Sequence, residues 1–495
     1  MTDRRGSRAL AWLWRHRWPI GVAVVALGLR LLWVLDIHPP EDHVYSDMGG
    51  YVNRAKRLVA EPFARRPDET FYPIGTHYFI ALWLGIFGTL AAAGAAQAVV
   101  ASLGAPLAYF LVGRLHGGPE WSARLHGVAA SKAEDADEAH EAHDAHDGLD
   151  EATEDRLAAA TTIARVAGLF AAIYFPLIGY TGFFLSETLF SILLTASALL
   201  VLRLADHGRL GDAWGLGIVY ALGLLVRPQI AVAAGLVLLW TVWRRRDFPT
   251  LRLGHLVRVA APLVLVVCYS LMLSAYHSGR ATPVAQNGGL NRAFGRCHAY
   301  EIASYHSKFG PPAFGALHRA DQRNSDTLLP LAPAIAPELA SRGYVWDEPE
   351  LNALANRCIE ETGIGRQAYY AFSHVVVLWL FNGGWPNMGP WPVKHFLQGW
   401  TFAHLAVFAL PMAIAMALGA SRRESRLGLV TLYVWSMLLT VMLVMGSVRF
   451  RVPYDLLSIA VALHVYALGA TRVVAWWRER SVDAGGDESS SAEAS

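Results

Sequence analysis

Apolar blocks alternate with short, arginine-rich joints along most of this chain. Several blocks are about twenty residues long, the length that a helix needs to cross a bilayer. The blocks with this character lie at 18–35, 90–112, 162–182, 184–204, 213–226, 229–243, 256–276, 396–419, 427–445 and 456–476. The pattern predicts an all-α polytopic membrane protein with about ten transmembrane helices.

The arginines predict how these helices are oriented. The N-terminal segment is rich in arginine, and so are the ends of alternate blocks, for example 244–246 and 422–426. Basic loops stay in the cytoplasm, so both termini are expected there. The apolar block 73–88 is short. If this block crossed the membrane completely, the basic end of block 90–112 would lie outside. Block 73–88 is therefore predicted to be a re-entrant or juxtamembrane helix.

These boundaries divide the chain into six parts. They are an N-terminal membrane part (1–130, with a first outer loop 36–72 and the re-entrant segment 73–88), an acidic linker (131–155), a membrane core (156–276), an outer loop domain (277–395), C-terminal membrane helices (396–477) and a tail of disordered composition (478–495). Within the outer loop domain, 348–362 and 367–381 are predicted to be helices.

The acidic linker carries His140, His143 and His146 among carboxylates. Metal binding is one interpretation, and a solvated cytoplasmic linker is the other. Nothing in this low-complexity segment would fix a coordination geometry, so the linker is favoured and no metal site is predicted.

Composition supports a membrane protein and excludes several other classes. The chain is 54% hydrophobic and only 17% charged, whereas a soluble domain has about a quarter charged residues. A net charge of +2, with arginines at helix ends, gives no sign of a nucleic-acid partner. Three cysteines are too few for a disulfide scaffold or a structural zinc site.

Two of the cysteines, Cys297 and Cys358, fall in the predicted outer loop domain. That domain would face an oxidising compartment in a bacterial periplasm. A disulfide between them would close a long loop and contribute about 4 kcal/mol in the chain-entropy model. The sequence leaves open whether they pair.

The stretch after the first block carries three close carboxylates, Glu41, Asp42 and Asp47. Charged groups beside a membrane span are costly unless they serve a purpose. From Ser46, a possible N-cap, apolar residues recur at helical spacing and predict a helix on the membrane surface. Asp47 would lie in its first turn, facing the membrane part. The alternative is an interfacial loop in which Asp47 only caps the helix, where the dipole favours a carboxylate.

Several cations are predicted on the same outer face. Arg227 lies at the proline break between two short blocks, Lys394 ends the outer loop domain, and Arg449 and Arg451 follow block 427–445. Arginines could hold a phosphate and stabilise its charge as it leaves. A carboxylate could take the proton of an incoming hydroxyl or amine, and no metal would be needed. Alternatively, Arg449 and Arg451 snorkel, Arg227 caps a broken helix pair, and Lys394 is solvated.

With these motifs the chain resembles the polytopic, lipid-carrier-dependent glycosyltransferases of the C-type fold, which include the protein O-mannosyltransferases and the aminoarabinose transferase of lipid A. The resemblance covers most of the chain up to about residue 475, apart from the linker. The motifs, in order, are Asp47 and Tyr51 in SDMGGYVNRA, YPIGTHYFIALWLGIFG from Tyr72, Ser186 and Glu187 in LSETLFSILL, Arg227 and Pro228 in LLVRPQ, and RFRVP from Arg449.

The resemblance implies roles for some of these residues. Asp47 would be the general base of an inverting transfer, Tyr51 would line the substrate site, and Arg449 and Arg451 would contact the donor phosphate. The chain departs from the family pattern where Tyr72 precedes Pro73, since the family often has His-Pro-Pro or Pro-Pro there. The acids Glu41 and Asp42 also lie upstream of Asp47, which leaves open whether one of them shares or replaces its role.

The function expected from these features is a glycosyltransferase of the bacterial inner membrane, a hexosyl- or pentosyltransferase acting on the periplasmic side. Its partners would be a polyprenyl-phosphate sugar donor, a lipid, glycan or protein acceptor, and membrane lipids, with no cofactor. A transporter or flippase of a polyprenyl-linked glycan is the alternative, and a membrane scaffold is a third interpretation. The sequence does not determine the sugar, the acceptor or the oligomeric state.

Overall fold

The computed structural model describes residues 3–45, 47–126, 151–296, 348–379, 393–421 and 425–492. All regular elements in these ranges are helices. Eight of the described helices are long and apolar enough to cross a membrane. Three more are apolar but shorter: Gly75–Phe87, Leu210–Val226 and Ile230–Trp243. The prediction of an all-α polytopic membrane protein is confirmed, and two of the predicted spans, 213–226 and 229–243, are among these shorter helices.

The helices are numbered in chain order. They are α1 (Asp3–Leu32), α2 (Asp47–Ala60), α3 (Gly75–Phe87), α4 (Leu90–Ser102), α5 (Gly104–His126), α6 (Glu151–Ile173), α7 (Phe175–Thr181), α8 (Ser186–His207), α9 (Leu210–Val226), α10 (Ile230–Trp243), α11 (Leu253–Ser278), α12 (Gly288–Arg296), α13 (Glu348–Val377), α14 (Val393–His404), α15 (Leu410–Ala420), α16 (Ser425–Leu443), α17 (Val448–Arg451) and α18 (Asp455–Ala492).

Two predicted spans are broken in the structure. Block 90–112 is interrupted at Leu103 between α4 and α5, and α5 runs on to a kink at Gly118, where φ is 71°. Glycine tolerates this left-handed conformation because it has no Cβ. Block 162–182 is interrupted at Tyr174, whose backbone is extended, and Pro176 opens α7. Proline is suited to the first turn of a helix but not to its interior.

Buried side chains bind the backbone on both sides of α7. The fully buried Arg30 of α1 donates to the carbonyl oxygens of Ala171 and Ala172 in the last turn of α6. Gln97 of α4 donates to the carbonyls of Thr181 and Phe183, at 2.9 and 2.7 Å. These carbonyls lie at or just beyond the ends of α6 and α7, so α1 and α4 fix the backbone that leads into α8.

The opposite end of the helix bundle is held by an arginine network. Asp206, near the C-terminus of α8, accepts from Arg114 of α5 and from Arg426 of α16, each at 2.9 Å. Arg114 and Asp206 are buried, so the two charges compensate each other in a low-dielectric interior. The network joins three helices at the end of α8 that lies away from Ser186.

Parts of the sequence prediction lie outside the described residues: Ser46, linker residues 131–150, and residues 297–347 and 380–392 of the outer loop domain. The rest of that domain includes α12 and α13. Helix α13 covers the first helix predicted there and residues 367–377 of the second, and it is kinked between them at Gly363, where φ is 71°.

Helices reach into the predicted linker and the predicted tail. Residues 151–155 of the predicted linker belong to α6. Helix α18 continues through Ala492, within the predicted tail 478–495. The tail carries no proline, the residue that ends a helix most strongly.

The contact between α9 and α11 depends on a small residue. A Cβ on Gly217 would lie 2.7 Å from the carbonyl oxygen of Val259 and 2.8 Å from that of Arg258, which is closer than real Cβ atoms come to backbone. A Cβ on Gly215, in the same helix, would lie 3.7 Å from Leu200, an ordinary contact. Small residues allow membrane helices to approach closely in this way.

We expect Gly217→Ala to lower the free energy of unfolding by about 1–3 kcal/mol, because α9 and α11 must move apart. Thermal unfolding of the detergent-solubilised protein measures the effect. Gly215→Ala, the matched control, should leave the melting temperature unchanged or slightly raised. Equal melting temperatures for the two variants would contradict the proposed close contact.

Candidate active site

Four charged side chains form one continuous chain of ion pairs. The carboxylate Oδ2 of Asp47 accepts a hydrogen bond from Arg449 Nη1 at 2.7 Å. Arg449 Nε donates to Glu187 Oε1. Arg227 Nη2 donates to that same Glu187 oxygen at 2.7 Å. Two acids and two guanidinium groups therefore make a charge-balanced cluster, called the Asp47 cluster below.

The cluster forms where helix ends meet. Asp47 and Glu187 lie in the first turns of α2 and α8, where the helix dipole favours a carboxylate. Arg227 is the first residue beyond α9, with an extended backbone, and Pro228 follows it. Arg449 lies in the short α17, whose first turn is capped by Ser447. Breaks in the helices thus bring polar groups together at one end of the bundle.

Burial separates the members of this cluster. The Glu187 side chain is fully buried, Arg227 and Arg449 are nearly so, and Asp47 is 32% exposed. Buried charges are tolerated only when they are paired and hydrogen-bonded, and this cluster meets that condition. Asp47 is therefore the member that an incoming molecule reaches most easily.

Arg227 holds further contacts and one unused donor. Its Nε donates to Ser186 Oγ at 2.8 Å, and its guanidinium lies over the ring of Phe450, 5.3 Å from the ring centre. Its buried Nη1 has no hydrogen-bond partner among the described residues. An unpartnered guanidinium N–H inside a buried site favours an anion, because a buried donor without an acceptor is costly.

Two tyrosines flank the carboxylate of Asp47. Tyr72 donates its hydroxyl to Asp47 Oδ1 at 3.2 Å, and the rings of Tyr51 and Tyr72 lie 4.9 Å apart. Burial, with a contribution from the charge of Asp47, raises the pKa of Tyr51 to about 12 and also raises the pKa of Tyr72. Both hydroxyls therefore stay protonated at neutral pH, and neither is suited to act as a base.

Other predicted site residues lie elsewhere. Glu41 and Asp42 are exposed on a 3-10 turn, Pro40–His43, before α2. Arg451 is buried and donates to both carboxylate oxygens of Asp455, at 2.9 and 3.4 Å, so it belongs to a different ion pair from Arg449. Lys394 lies in the first turn of α14.

The predicted disulfide cannot be placed within the described part of the chain. Cys358 is buried in α13, whereas Cys297 lies outside the described residues. The disulfide therefore stays a prediction. No group of three or more histidine, cysteine, aspartate or glutamate side chains suited to a metal occurs within the described ranges.

Glu187 and Tyr72 belong to this site, although the sequence alone predicts a role for neither. In the sequence they stand only within the motifs LSETLFSILL and YPIGTHYFIALWLGIFG. A signal for Glu187 was available, because a carboxylate at the start of an apolar span is costly without a cationic partner. The contact between Tyr72 and Asp47 has no such signal, since 25 residues separate them along the chain.

Comparison with known proteins gives a weak structural likeness. No protein-family profile and no curated protein matches the sequence. Among solved structures, the chain is similar to the crystal structure of the Archaeoglobus fulgidus oligosaccharyltransferase in the apo form, with a TM-score of 0.46 and 12% identity. The similarity covers 94% of this chain and 52% of the archaeal one, so the chain spans about half of that protein's length. A likeness this weak carries no argument about activity.

We expect Glu187→Gln to lower the free energy of unfolding by about 3–5 kcal/mol, because two nearly buried guanidinium groups lose their common counter-charge. Thermal or denaturant unfolding in detergent measures the loss. Glu61→Gln is the control: Glu61 pairs with Arg66 but is 70% exposed, so its change should stay within about 0.5 kcal/mol. Wild-type stability in Glu187→Gln would mean that the cluster does not hold these helices together.

Proposed function

We propose that this chain is an integral membrane glycosyltransferase that moves a sugar from a polyprenyl-phosphate donor to an acceptor. One observation carries the proposal: the partly exposed carboxylate of Asp47 is ion-paired to Arg449, beside a second buried arginine, Arg227, whose Nη1 has no acceptor in the described part of the chain. A base and a phosphate-binding pair of arginines thus lie together, as such a transfer requires. The motif resemblance supports the same class of enzyme.

In this proposal the arginines hold the donor phosphate. Arg227 Nη1 has no acceptor among the described residues, and Arg449 Nη1 points to the accessible side of the cluster, at Asp47. A phosphodiester oxygen would satisfy the first and compete with Asp47 for the second. Glu187 would keep both guanidinium groups in place through its shared oxygen. Guanidinium groups suit phosphate because their donors form a planar fork.

Binding of the donor would also release the base. In the structure, Asp47 Oδ2 is occupied by Arg449. Once the phosphate draws Arg449 towards itself, Oδ2 loses its hydrogen-bond donor and can accept a proton in its place. The acceptor hydroxyl or amine could then be deprotonated only when the donor is in place, which limits wasteful reaction without donor.

The reaction balances with these groups alone. The acceptor oxygen or nitrogen forms a bond to the anomeric carbon of the sugar, and the bond from that carbon to the phosphate oxygen breaks. The bonding electrons leave with the polyprenyl phosphate, whose added negative charge the arginines stabilise. The proton of the acceptor goes to Asp47. Attack opposite the leaving phosphate inverts the anomeric carbon, and no metal takes part.

The proposal also includes the sidedness of the site. The Asp47 cluster lies at the N-terminal end of α8, and the Arg114–Asp206–Arg426 network lies at its other end. Basic ends favour the cytoplasm, so the cluster would face the periplasm of a bacterial inner membrane. Both chain termini would then be cytoplasmic. The acceptor would enter between α2 and the outer loop domain, where Lys394 remains a predicted donor contact.

A flippase for a polyprenyl-linked glycan fits the structure less well. Transporters bind their cargo near the middle of the bilayer, at broken helices between repeats. The Asp47 cluster instead joins the ends of α2, α8 and α9 with α17. A partly exposed carboxylate at helix ends suits a reaction at the membrane surface.

The test is Asp47→Asn, assayed with undecaprenyl-phosphate-linked mannose, glucose and arabinose. Wild-type protein should transfer or hydrolyse at least one of these donors. The variant should still bind undecaprenyl phosphate, measured by native mass spectrometry, but lose about a hundredfold to ten-thousandfold in turnover, because the asparagine amide takes no proton.

Two companion variants test the upstream acids. Glu41→Gln and Asp42→Asn should keep turnover, because both side chains are exposed on the turn before α2. Loss of turnover in one of them, with normal turnover in Asp47→Asn, would move the base to that acid. Normal turnover in all three would remove the base from this segment, and no binding of undecaprenyl phosphate by wild type would contradict the proposed donor class.

A further inference from the structure

We propose that Tyr72 is a positioning residue for Asp47, and that Gly50 and Arg54 hold the Tyr72 ring where its hydroxyl meets the carboxylate. The inference rests on the proposed function, because it gives Tyr72 a part in the same transfer. It deepens that function by naming what keeps the base oriented when its ion pair with Arg449 opens.

The carboxylate of Asp47 is held at both oxygens. Tyr72 donates to Oδ1 at 3.2 Å, and Arg449 donates to Oδ2 at 2.7 Å. A donor phosphate can compete for a cation, but it has no reason to compete for a neutral phenol that already has an acceptor. When Arg449 turns to the phosphate, Tyr72 remains as the group that fixes the carboxylate. It leaves Oδ2 free to take the acceptor proton.

The Tyr72 ring is placed by two residues of α2. A Cβ on Gly50 would lie 2.8 Å from Tyr72 Cε2, so only glycine lets the ring come this close. The Arg54 guanidinium lies over the ring at 5.0 Å from its centre, a distance suited to a cation–π interaction. Arg54 is itself anchored, because it donates to the carbonyl oxygens of Asp68 (2.8 Å) and Gly50 (3.0 Å).

The surroundings keep Tyr72 a neutral donor. Burial, then the charge of Asp47, raises the pKa of its hydroxyl, so it carries its proton throughout the working pH range. Two charged or titratable groups contact Asp47 directly: Tyr72 from the loop before α3 and Arg449 from α17. Tyr51 of α2 lies nearby. Glu187 contacts Arg449 and Arg227, and so connects both arginines to the site. Among them Tyr72 is the neutral donor in direct contact with the carboxylate.

The experiment uses the full-length protein and whichever of the three undecaprenyl-phosphate sugars the wild type turns over. For Tyr72→Phe we expect kcat to fall about tenfold, as a hydrogen bond to a charged group is lost. The KM for the donor should change by less than about twofold, because the arginines that hold the phosphate are untouched.

The split between kcat and donor binding distinguishes positioning from a general loss of structure. A misplaced carboxylate lowers kcat and leaves the KM for the donor and the binding of undecaprenyl phosphate in native mass spectrometry unchanged. A variant that was merely less well folded would also bind less undecaprenyl phosphate.

Gly50→Ala supplies a second, independent variant that keeps the tyrosine. The added methyl group would push the Tyr72 ring away, so the same lower kcat with an unchanged KM for the donor is expected. Gly49→Ala is the matched control in the same helical turn, because a Cβ there would meet nothing within 4 Å. It should retain the wild-type kcat and KM.

The outcomes separate this inference from the proposed function. Wild-type kcat in both Tyr72→Phe and Gly50→Ala, with Asp47→Asn inactive, would overturn the positioning role and leave the function standing. Normal turnover in Asp47→Asn would overturn both. Equal losses in Gly49→Ala and Gly50→Ala would assign the effect to the helix backbone and also overturn the positioning role. If Tyr72→Phe does not fold, the Gly50→Ala and Gly49→Ala pair decides alone.

Discussion

The shared oxygen of Glu187 is the contact on which the rest of this structure depends. It accepts hydrogen bonds from Arg227 and from Arg449, and its side chain is fully buried. Neither guanidinium could stay in the interior without a counter-charge, since an unpaired buried charge costs several kcal/mol. This one carboxylate therefore fixes the relative positions of α8, the end of α9, and α17.

The remaining charge of Arg449 then determines where Asp47 lies. Because Glu187 neutralises only part of the two positive charges, Asp47 completes the balance from α2 while staying partly exposed. The site thus separates two tasks between two acids. The buried acid holds the arginines, and the exposed acid remains able to exchange its cation for a proton. The starts of α2 and α8, the end of α9 at Arg227 and the short α17 supply the helix ends that make this possible.

Much of this arrangement could be predicted from local features of the sequence. Apolar runs predicted the helices, because the length and hydrophobicity of a span are properties of contiguous residues. The amphipathic spacing after residue 46 predicted α2, with Asp47 in its first turn and Met48, Tyr51 and Val52 buried. The arginine pattern predicted that Asp47, Arg227 and Arg449 share one face, and in the structure these three belong to one cluster.

Which residues pair was decided by the tertiary structure alone. Arg449 and Arg451 look alike in RFRVP, yet Arg449 joins the Asp47 cluster and Arg451 pairs with Asp455 one turn further on. Glu187 and Tyr72 gained their partners only when distant segments packed together. The physical reason is that a sequence determines the length, polarity and sidedness of each helix locally, whereas an ion pair depends on which faces of separate helices meet. Close packing at glycines, such as Gly50 against Tyr72, fixes those faces.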